Sequence, residues 1–158
     1  MTRQTNFDPR WARHGFAYVV VADGGRARIF RRSGPRSSSR LLEIGHLERP
    51  NAHRHARDLT TDLTGRVPSD YDPRAVEVER FARRLSARIA GLAQAERIEE
   101  MVLIAEPRFL GILRRELPEP LRQIITREIP RNLTASMPAP IARAAFELTA
   151  APVTGRQG

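Results

Sequence analysis

The stretch AYVVVADGGRARIF, residues 17–30, decides the fold. Apolar residues run without interruption to Ala22, give way to DGG and then resume in alternation with arginine. This pattern predicts two antiparallel strands, 17–22 and 26–32, joined by a tight hairpin. The Gly-Gly pair favours a type I′ turn, because both central residues of that turn need a positive φ. The first strand is apolar at every position, which predicts a central strand of the sheet.

Downstream of the hairpin, strand-like apolar runs alternate with helical stripes. Asp72 and Pro73 predict a helix start, because Asp caps free N–H groups and Pro fits the first helical position. The stripe of this helix comprises Val78, Phe81, Leu85, Ile89 and Leu92. The other predicted elements are strands over 41–47, 101–105 and 123–129, a short helix over 109–117 and a last helix over 138–148.

The element order is therefore βββ-α-β-α-β-α. It predicts an α/β domain with a mixed sheet of five strands, in which an antiparallel meander is continued by two parallel strands with right-handed crossovers. The same order occurs in the ribonuclease-H-like fold and in the middle domain of class-I peptide release factors. With 158 residues the chain suits a single domain, which we place at 17–150, with a flexible lead-in at 1–16 and a flexible tail at 151–158.

Composition excludes several kinds of chemistry. The chain has no Cys, so it has neither a disulfide framework nor a thiolate zinc site. All 27 basic residues are Arg, so no Schiff-base lysine and no phosphate-loop lysine exist, which excludes a Walker-type nucleotidase. No apolar run approaches the length of a membrane span, and the first residues lack an export signal. We therefore expect a soluble, cytoplasmic protein.

Charge points to an anionic partner. The formal net charge is +9, and the segment 26–40 contains six Arg and no acid. A second basic segment lies within 49–72, which is poor in large apolar residues and is predicted to be a long loop. Loops of that length inside a domain are often functional. If both segments share one face, they form a positive field suited to phosphate groups.

Five segments resemble the bacterial host attachment protein family, which is itself related to the release-factor middle domain. The matching segments are VVVADGGRARIF at 19–30, LLEIGHLERP at 41–50, HRHARDLTTDLTGR at 53–66, LIAEPRFLGILRREL at 103–117 and EIPRNLT at 128–134. The family name implies a role in attaching bacteria to host cells, and the kinship to release factors implies contact with the translation machinery. Because Gly24-Gly25 is followed by Arg26, the Gly-Gly-Gln tripeptide of release factors is absent, and peptidyl-tRNA hydrolysis is not implied.

The main prediction for function is a non-enzymatic domain that binds an anionic macromolecule, with ribosomal RNA as the favoured partner and without a cofactor. A possible role in host attachment is then indirect. Trp11 or Tyr71 could stack on a base. The residues predicted to contact the nucleic acid are Arg26, Arg28, His53, Arg54, Arg57 and Arg66.

Two metal-dependent alternatives are also open. A ribonuclease-H-like nuclease would use Asp23 after the first strand, Glu77 or Glu79 on the first helix, and Glu106 after the fourth strand, because such carboxylates hold the cations that activate water. A loop site would combine imidazole and carboxylate ligands. Its residues are His53, His55, Asp58 and Asp62.

Overall fold

The computed structural model describes residues 16–33, 40–50 and 72–147. The predicted lead-in, except Phe16, and the predicted tail lie outside these ranges, so both domain boundaries stay predictions. Most of the predicted loop 49–72 also lies outside them. Among the described residues, no helix is both long and apolar enough to cross a membrane.

The sheet has five strands, and its order places the first strand at the centre. In space the strands follow the order β3-β2-β1-β4-β5. Strand β2 pairs antiparallel with both β1 and β3, whereas β4 pairs parallel with β1 and β5. This confirms the mixed sheet of a meander and two parallel strands. The strands are β1 (Phe16–Ala22), β2 (Arg26–Ser33), β3 (Arg40–Glu48), β4 (Ile98–Ala105) and β5 (Ile125–Ile129).

Helices cover both faces of this sheet. They are α1 (Pro73–Ala95), α2 (Pro107–Glu116), α3 (Glu119–Ile124) and α4 (Pro138–Ala142), with a π-helical turn continuing α4 over Arg143–Glu147. Helix α3 was not predicted, and the predicted strand 123–129 is wrong over its first two residues, which belong to α3. The reason is that Pro118 precedes a helix of only 6 residues, whose Leu121 is buried in the core, and fewer than two turns are too short to show a helical period.

The hairpin forms at the predicted residues but with a different turn. Gly24 does not adopt the left-handed conformation that a type I′ turn requires, so that prediction is wrong. The side chain of Asp23 closes the turn instead. Its Oδ1 accepts hydrogen bonds from the backbone N–H of Gly25 at 2.8 Å and of Arg26 at 2.9 Å. Aspartate side chains commonly organise turns in this way.

Burial on both faces of β1 is confirmed. Val20 packs in the core between the sheet and helices α1 and α2, whereas Val19 packs in the core on the α4 side, and both are fully buried. Helix α1 starts as predicted, with Asp72 accepting the N–H of Arg74 at 3.0 Å. The rings of Phe81 and Phe109 lie 5.8 Å apart and join α1 to α2.

Candidate functional site

The candidate site is a cleft at the carboxyl edge of the two central parallel strands. Ala22 ends β1 and is the register partner of Ala105, which ends β4. From β1 the chain turns towards β2, and from β4 it turns towards β5, so the connections diverge here. Crevices at such switch points are where open α/β sheets generally bind ligands. This carboxyl-edge cleft has a volume of about 870 Å³.

Four structural elements contribute to the carboxyl-edge cleft: the hairpin turn, the end of β3, and the first turns of α1 and α2. Its lining includes both apolar and charged side chains. The lining residues are Asp23, Gly24, Gly25, Arg26, Glu48, Arg49, Asp72, Arg74, Ala75, Val78, Glu106, Arg108, Phe109 and Ile112.

Asp23 is held by hydrogen bonds on both carboxylate oxygens. Oδ1 accepts the two turn N–H groups described above, and Oδ2 accepts the hydroxyl of Thr134 at 3.1 Å and the amide of Asn132 at 3.3 Å. Thr134 is buried. Asp23 therefore connects the hairpin to the loop between β5 and α4.

Glu106 acts as the N-cap of α2. Its Oε1 accepts the N–H of Phe109 at 2.9 Å, and its own N–H donates to the carbonyl of Ala22 at 3.1 Å. This geometry explains why the sequence places an acid between the apolar run of β4 and Pro107. Helix N-termini favour negative charge, so the cap stabilises α2 as a carboxylate.

The third carboxylate of the nuclease alternative is not gathered with the other two. Glu77 Oε1 accepts from Arg49 Nη1 at 3.2 Å, and Glu79 is half-buried on α1 outside the lining of the cleft. Within the described ranges, no three His, Asp or Glu side chains are close enough to form a metal-binding group. Asp23 and Glu106 nevertheless share the carboxyl-edge cleft, and the nuclease stays an untested alternative.

Arg49 fixes the end of β3 to the hairpin. Its side chain is 7% exposed, its Nε donates to the carbonyl of Gly24 at 2.9 Å, and its backbone N–H donates to the carbonyl of Gly25 at 2.8 Å. Together with the ion pair to Glu77, these bonds make Arg49 a structural part of the cleft wall.

The two arginines of β2 that were predicted to contact nucleic acid differ in their surroundings: Arg26 is exposed at the cleft, whereas Arg28 is hydrogen-bonded to other residues of the chain. Arg26 is exposed and lines the carboxyl-edge cleft. Arg28 points elsewhere: it forms two hydrogen bonds with Glu43, at 3.0 and 3.2 Å, and donates from Nη1 to the carbonyls of Thr134 and Ser136. The guanidinium group of Arg28 therefore joins the sheet to the loop before α4.

The remaining predicted contact residues lie outside the described ranges. These are His53, Arg54, Arg57 and Arg66, and the same holds for His55, Asp58, Asp62, Trp11 and Tyr71. The described residues that flank the segment containing most of them lie at this site. Arg49, just before the segment, and Asp72, just after it, both line the carboxyl-edge cleft.

A family model described as "Protein required for attachment to host cells" matches residues 18–144. The chain belongs to this host attachment family. This confirms the resemblance that the sequence segments indicated.

This member of the host attachment family is also similar to one further sequence and to two solved structures. An uncharacterized protein of Rickettsia prowazekii (strain Madrid E), RP470, is 37% identical over 54 residues, which are 34% of this chain and 36% of RP470. The solved structure of an archaeal translation termination factor, aRF1, has a TM-score of 0.48 and 16% identity over 89% of this chain and 42% of that chain. A structure described as an archaeal protein has a TM-score of 0.44 and 16% identity, covering 89% and 41%. The chain thus spans less than half the length of each.

The sequence interpretation missed two arginines at the site of this host attachment protein. Arg74 and Arg108 both line the carboxyl-edge cleft, each in the first turn of its helix. A signal for them exists in the sequence, because the segments DPR at 72–74 and EPR at 106–108 share an acid–proline–arginine pattern. In both, the acid caps the helix, the proline begins it, and the arginine lies at the cleft.

A second basic concavity, of about 790 Å³, lies beside β5, but two of its arginines bind their own chain. Arg114 donates twice to Glu128 Oε1, at 2.6 and 2.9 Å, and this hydrogen bond and the charge of Glu128 raise the pKa of Arg114. Arg122 donates to the carbonyls of Leu117 and Arg114 at the end of α2. These contacts stabilise the α2–α3 connection.

Proposed function

We propose that this member of the host attachment family is a non-enzymatic, cytoplasmic binding domain that contacts the phosphate backbone of RNA, with ribosomal RNA as the favoured partner. An effect on attachment to host cells would then be indirect. The carboxyl-edge cleft is the proposed contact site, and it lies within the proposed domain 17–150.

The observation that carries this proposal is the convergence of three exposed arginines on one cleft. Arg26 comes from the hairpin, Arg74 from α1 and Arg108 from α2. No residue of the described ranges forms an ion pair with any of the three. Guanidinium groups match phosphate geometry with paired N–H donors, and they are more weakly hydrated than ammonium groups.

The lining of the cleft carries four carboxylates as well as four arginines, so the proposed contact depends on its exposed guanidinium groups and not on a net positive charge. Asp72 and Glu106 accept N–H groups of the helices that they cap, and Asp23 accepts four hydrogen bonds. Glu48 lies opposite Arg26 in the β2–β3 ladder. The guanidinium groups of Arg26, Arg74 and Arg108 form no ion pair with a described residue, so they can donate hydrogen bonds to a ligand.

Four predicted residues extend the proposed contact beyond the described ranges. Arg49, before the segment that contains them, and Asp72, after it, both line the carboxyl-edge cleft. Arg28 is dropped from the proposed contact, because its guanidinium group holds Glu43 and two carbonyls; Arg74 and Arg108 take its place. The four residues are His53, Arg54, Arg57 and Arg66.

The test is RNA binding by purified protein across a salt series. A triple variant with Arg26→Gln, Arg74→Gln and Arg108→Gln is compared with a control with Arg83→Gln, Arg97→Gln and Arg114→Gln. The control loses the same charge, but its arginines are paired with Glu116, Glu99 and Glu128. Each lost phosphate contact lowers the slope of log affinity against log salt by about 0.7 for a single strand, so we expect a decrease of about 2 in the triple variant alone. Equal slopes in both variants would overturn the proposal.

A metal-dependent nuclease is the second candidate, favoured by the presence of Asp23 and Glu106 in the same cleft. Two acids could hold a hard cation near a bound phosphodiester. The double variant Asp23→Asn, Glu106→Gln separates the candidates: RNA binding persists if the domain only binds, whereas a nuclease would lose its Mg²⁺- or Mn²⁺-dependent cleavage.

A further inference from the structure

Three arginines lie along one inclined ridge of helix α1. Arg80, Arg84 and Arg88 are exposed and follow each other at intervals of four residues. Four residues of α-helix rise by about 6 Å, so the row covers about 12 Å along one face. We call these three residues the arginine row.

The row is held against the edge of the sheet. Arg84 Nη1 donates to the carbonyl of Glu48 at 3.5 Å, and its guanidinium group lies 5.8 Å from the centre of the Phe81 ring. Arg88 lies over Gly45 of β3, where a Cβ atom would come within 2.9 Å of Arg88 Nη2. The absence of a side chain at Gly45 therefore leaves room for this guanidinium group. The row is partly ordered before any partner binds, which lowers the entropic cost of binding.

The arginines of the row form no ion pair within the described part of the chain. Like charges four residues apart destabilise a helix, and the row contains two such pairs. No carboxylate of a described residue forms an ion pair with Arg80, Arg84 or Arg88. By contrast, Arg83 on the same helix pairs with Glu116 at 3.5 Å. An anionic partner would relieve the repulsion within the row.

The row is continuous with the carboxyl-edge cleft. Arg80 and Arg84 line a small cavity of about 170 Å³ together with Arg49, Glu77, Pro50 and Phe81, and Arg49 also lines the cleft. A strand bound in the cleft can therefore reach the arginine row through this cavity.

We propose that the arginine row is a track for consecutive phosphates of one RNA strand, which passes from the carboxyl-edge cleft along α1. The inference rests on the proposed function, because it takes RNA as the partner. Its specific basis is that three exposed arginines without a described ion pair follow one another along α1, so that one strand can contact them in turn. Arginines that track a backbone in this way bind without reading its sequence.

The test uses the double variant Arg80→Gln, Arg88→Gln, which removes both repulsive pairs and keeps the contacts of Arg84. Its matched control is Arg83→Gln, Arg97→Gln, which removes the same charge from arginines paired with Glu116 and Glu99. The probe is a fluorescent 12-nucleotide uridine RNA, and polyaspartate is the competing acidic polypeptide. Melting temperature and binding are measured across a salt series.

The proposal predicts that the salt slope for RNA falls by about 1.4 in the double variant, from about 0.7 per lost contact, and that its melting temperature does not fall. The control is expected to keep the slope. An unchanged salt slope in the double variant would overturn the proposal for the arginine row, as would equal competition by RNA and polyaspartate. The triple variant of the cleft is measured beside it to separate the two proposals. If the slope falls only in the triple variant, the proposal for the row is wrong and that for the cleft stands; if it falls in neither variant, both proposals are wrong.

Discussion

Thr134 donates a hydrogen bond from Oγ1 to Oδ2 of Asp23 at 3.1 Å, across 111 residues of sequence. The bond joins the loop before α4 to the hairpin at the centre of the sheet. It also assigns a structural role to the acid that a nuclease would need. Asp23 is thus part of the framework that carries Arg26.

Replacing Thr134 with Val keeps the shape of the side chain and removes this bond. Thr134 is buried, and the single proton of its hydroxyl is shared between Asp23 Oδ2 and Asn132 Oδ1, which lies 2.7 Å away. We therefore expect Thr134→Val to lower the free energy of unfolding by about 1–3 kcal/mol. Thr126→Val is the control, since Thr126 is exposed on β5 and its bond to Glu100 is 3.3 Å long. Urea unfolding measures both. Equal losses would contradict the assigned role of Thr134.

The two arginines of β2 should behave in opposite ways. Arg28→Gln removes the contacts to Glu43 and to two carbonyls, so we expect a loss of about 2 kcal/mol in unfolding free energy with RNA affinity retained in the folded protein. Arg26→Gln is expected to change stability by less than about 0.5 kcal/mol, because this side chain is exposed, and to weaken RNA binding. The prediction fails if Arg28→Gln reduces affinity as much as Arg26→Gln does.

The variant Glu106→Gln tests whether Glu106 is a helix cap or a catalytic acid. Glu106→Gln keeps an oxygen that can accept the N–H of Phe109, and loses only the interaction of a charge with the helix N-terminus, about 0.3–1 kcal/mol. Thermal unfolding should therefore change little, and no RNA cleavage with Mg²⁺ or Mn²⁺ is expected in either protein. Metal-dependent cleavage by the wild type that disappears in Glu106→Gln would show that the domain is an enzyme.

The buried Tyr18 makes a hydrogen bond whose contribution to stability can be measured. Its hydroxyl donates to Glu96 Oε1, which also lies 3.6 Å from Arg31 Nη1. Tyr18 is fully buried, so Tyr18→Phe should cost about 1.5–3 kcal/mol of unfolding free energy, the range for a hydrogen bond to a charged group. Arg97→Gln should cost less than about 1 kcal/mol, because its ion pair with Glu99 is exposed on both sides. The reverse order would refute this assignment.

Local patterns in the sequence were sufficient for most of the fold. The alternation around the DGG turn predicted β1 and β2, and Asp72-Pro73 predicted the start of α1, because both signals depend on neighbouring residues. Helix α3 was missed, since a helix of 6 residues is too short to show a period. The type I′ turn was also wrong, because the side chain of Asp23 rather than a left-handed Gly24 closes the hairpin.

The candidate site was harder to predict, because its chemistry depends on contacts between distant residues. The arginine-rich β2 segment suggested equal roles for Arg26 and Arg28. The partners that distinguish them, the carbonyls of Thr134 and Ser136, lie 106 and 108 residues away from Arg28. The two acid–proline–arginine segments were visible in the sequence, but only the sheet order brings their helix starts to one cleft.

The central claim is that the carboxyl-edge cleft binds RNA through Arg26, Arg74 and Arg108, with the ribosome as the favoured source of that RNA. Co-sedimentation with ribosomes from cell lysate, across a salt series, tests it most directly, because electrostatic binding that is not specific disappears as salt rises. The account predicts stoichiometric binding of the wild type at physiological salt, its loss in the Arg26→Gln, Arg74→Gln, Arg108→Gln variant, and its retention in the Arg83→Gln, Arg97→Gln, Arg114→Gln control. Absence of the wild type from the ribosome pellet, or equal binding of the two variants, would contradict the account.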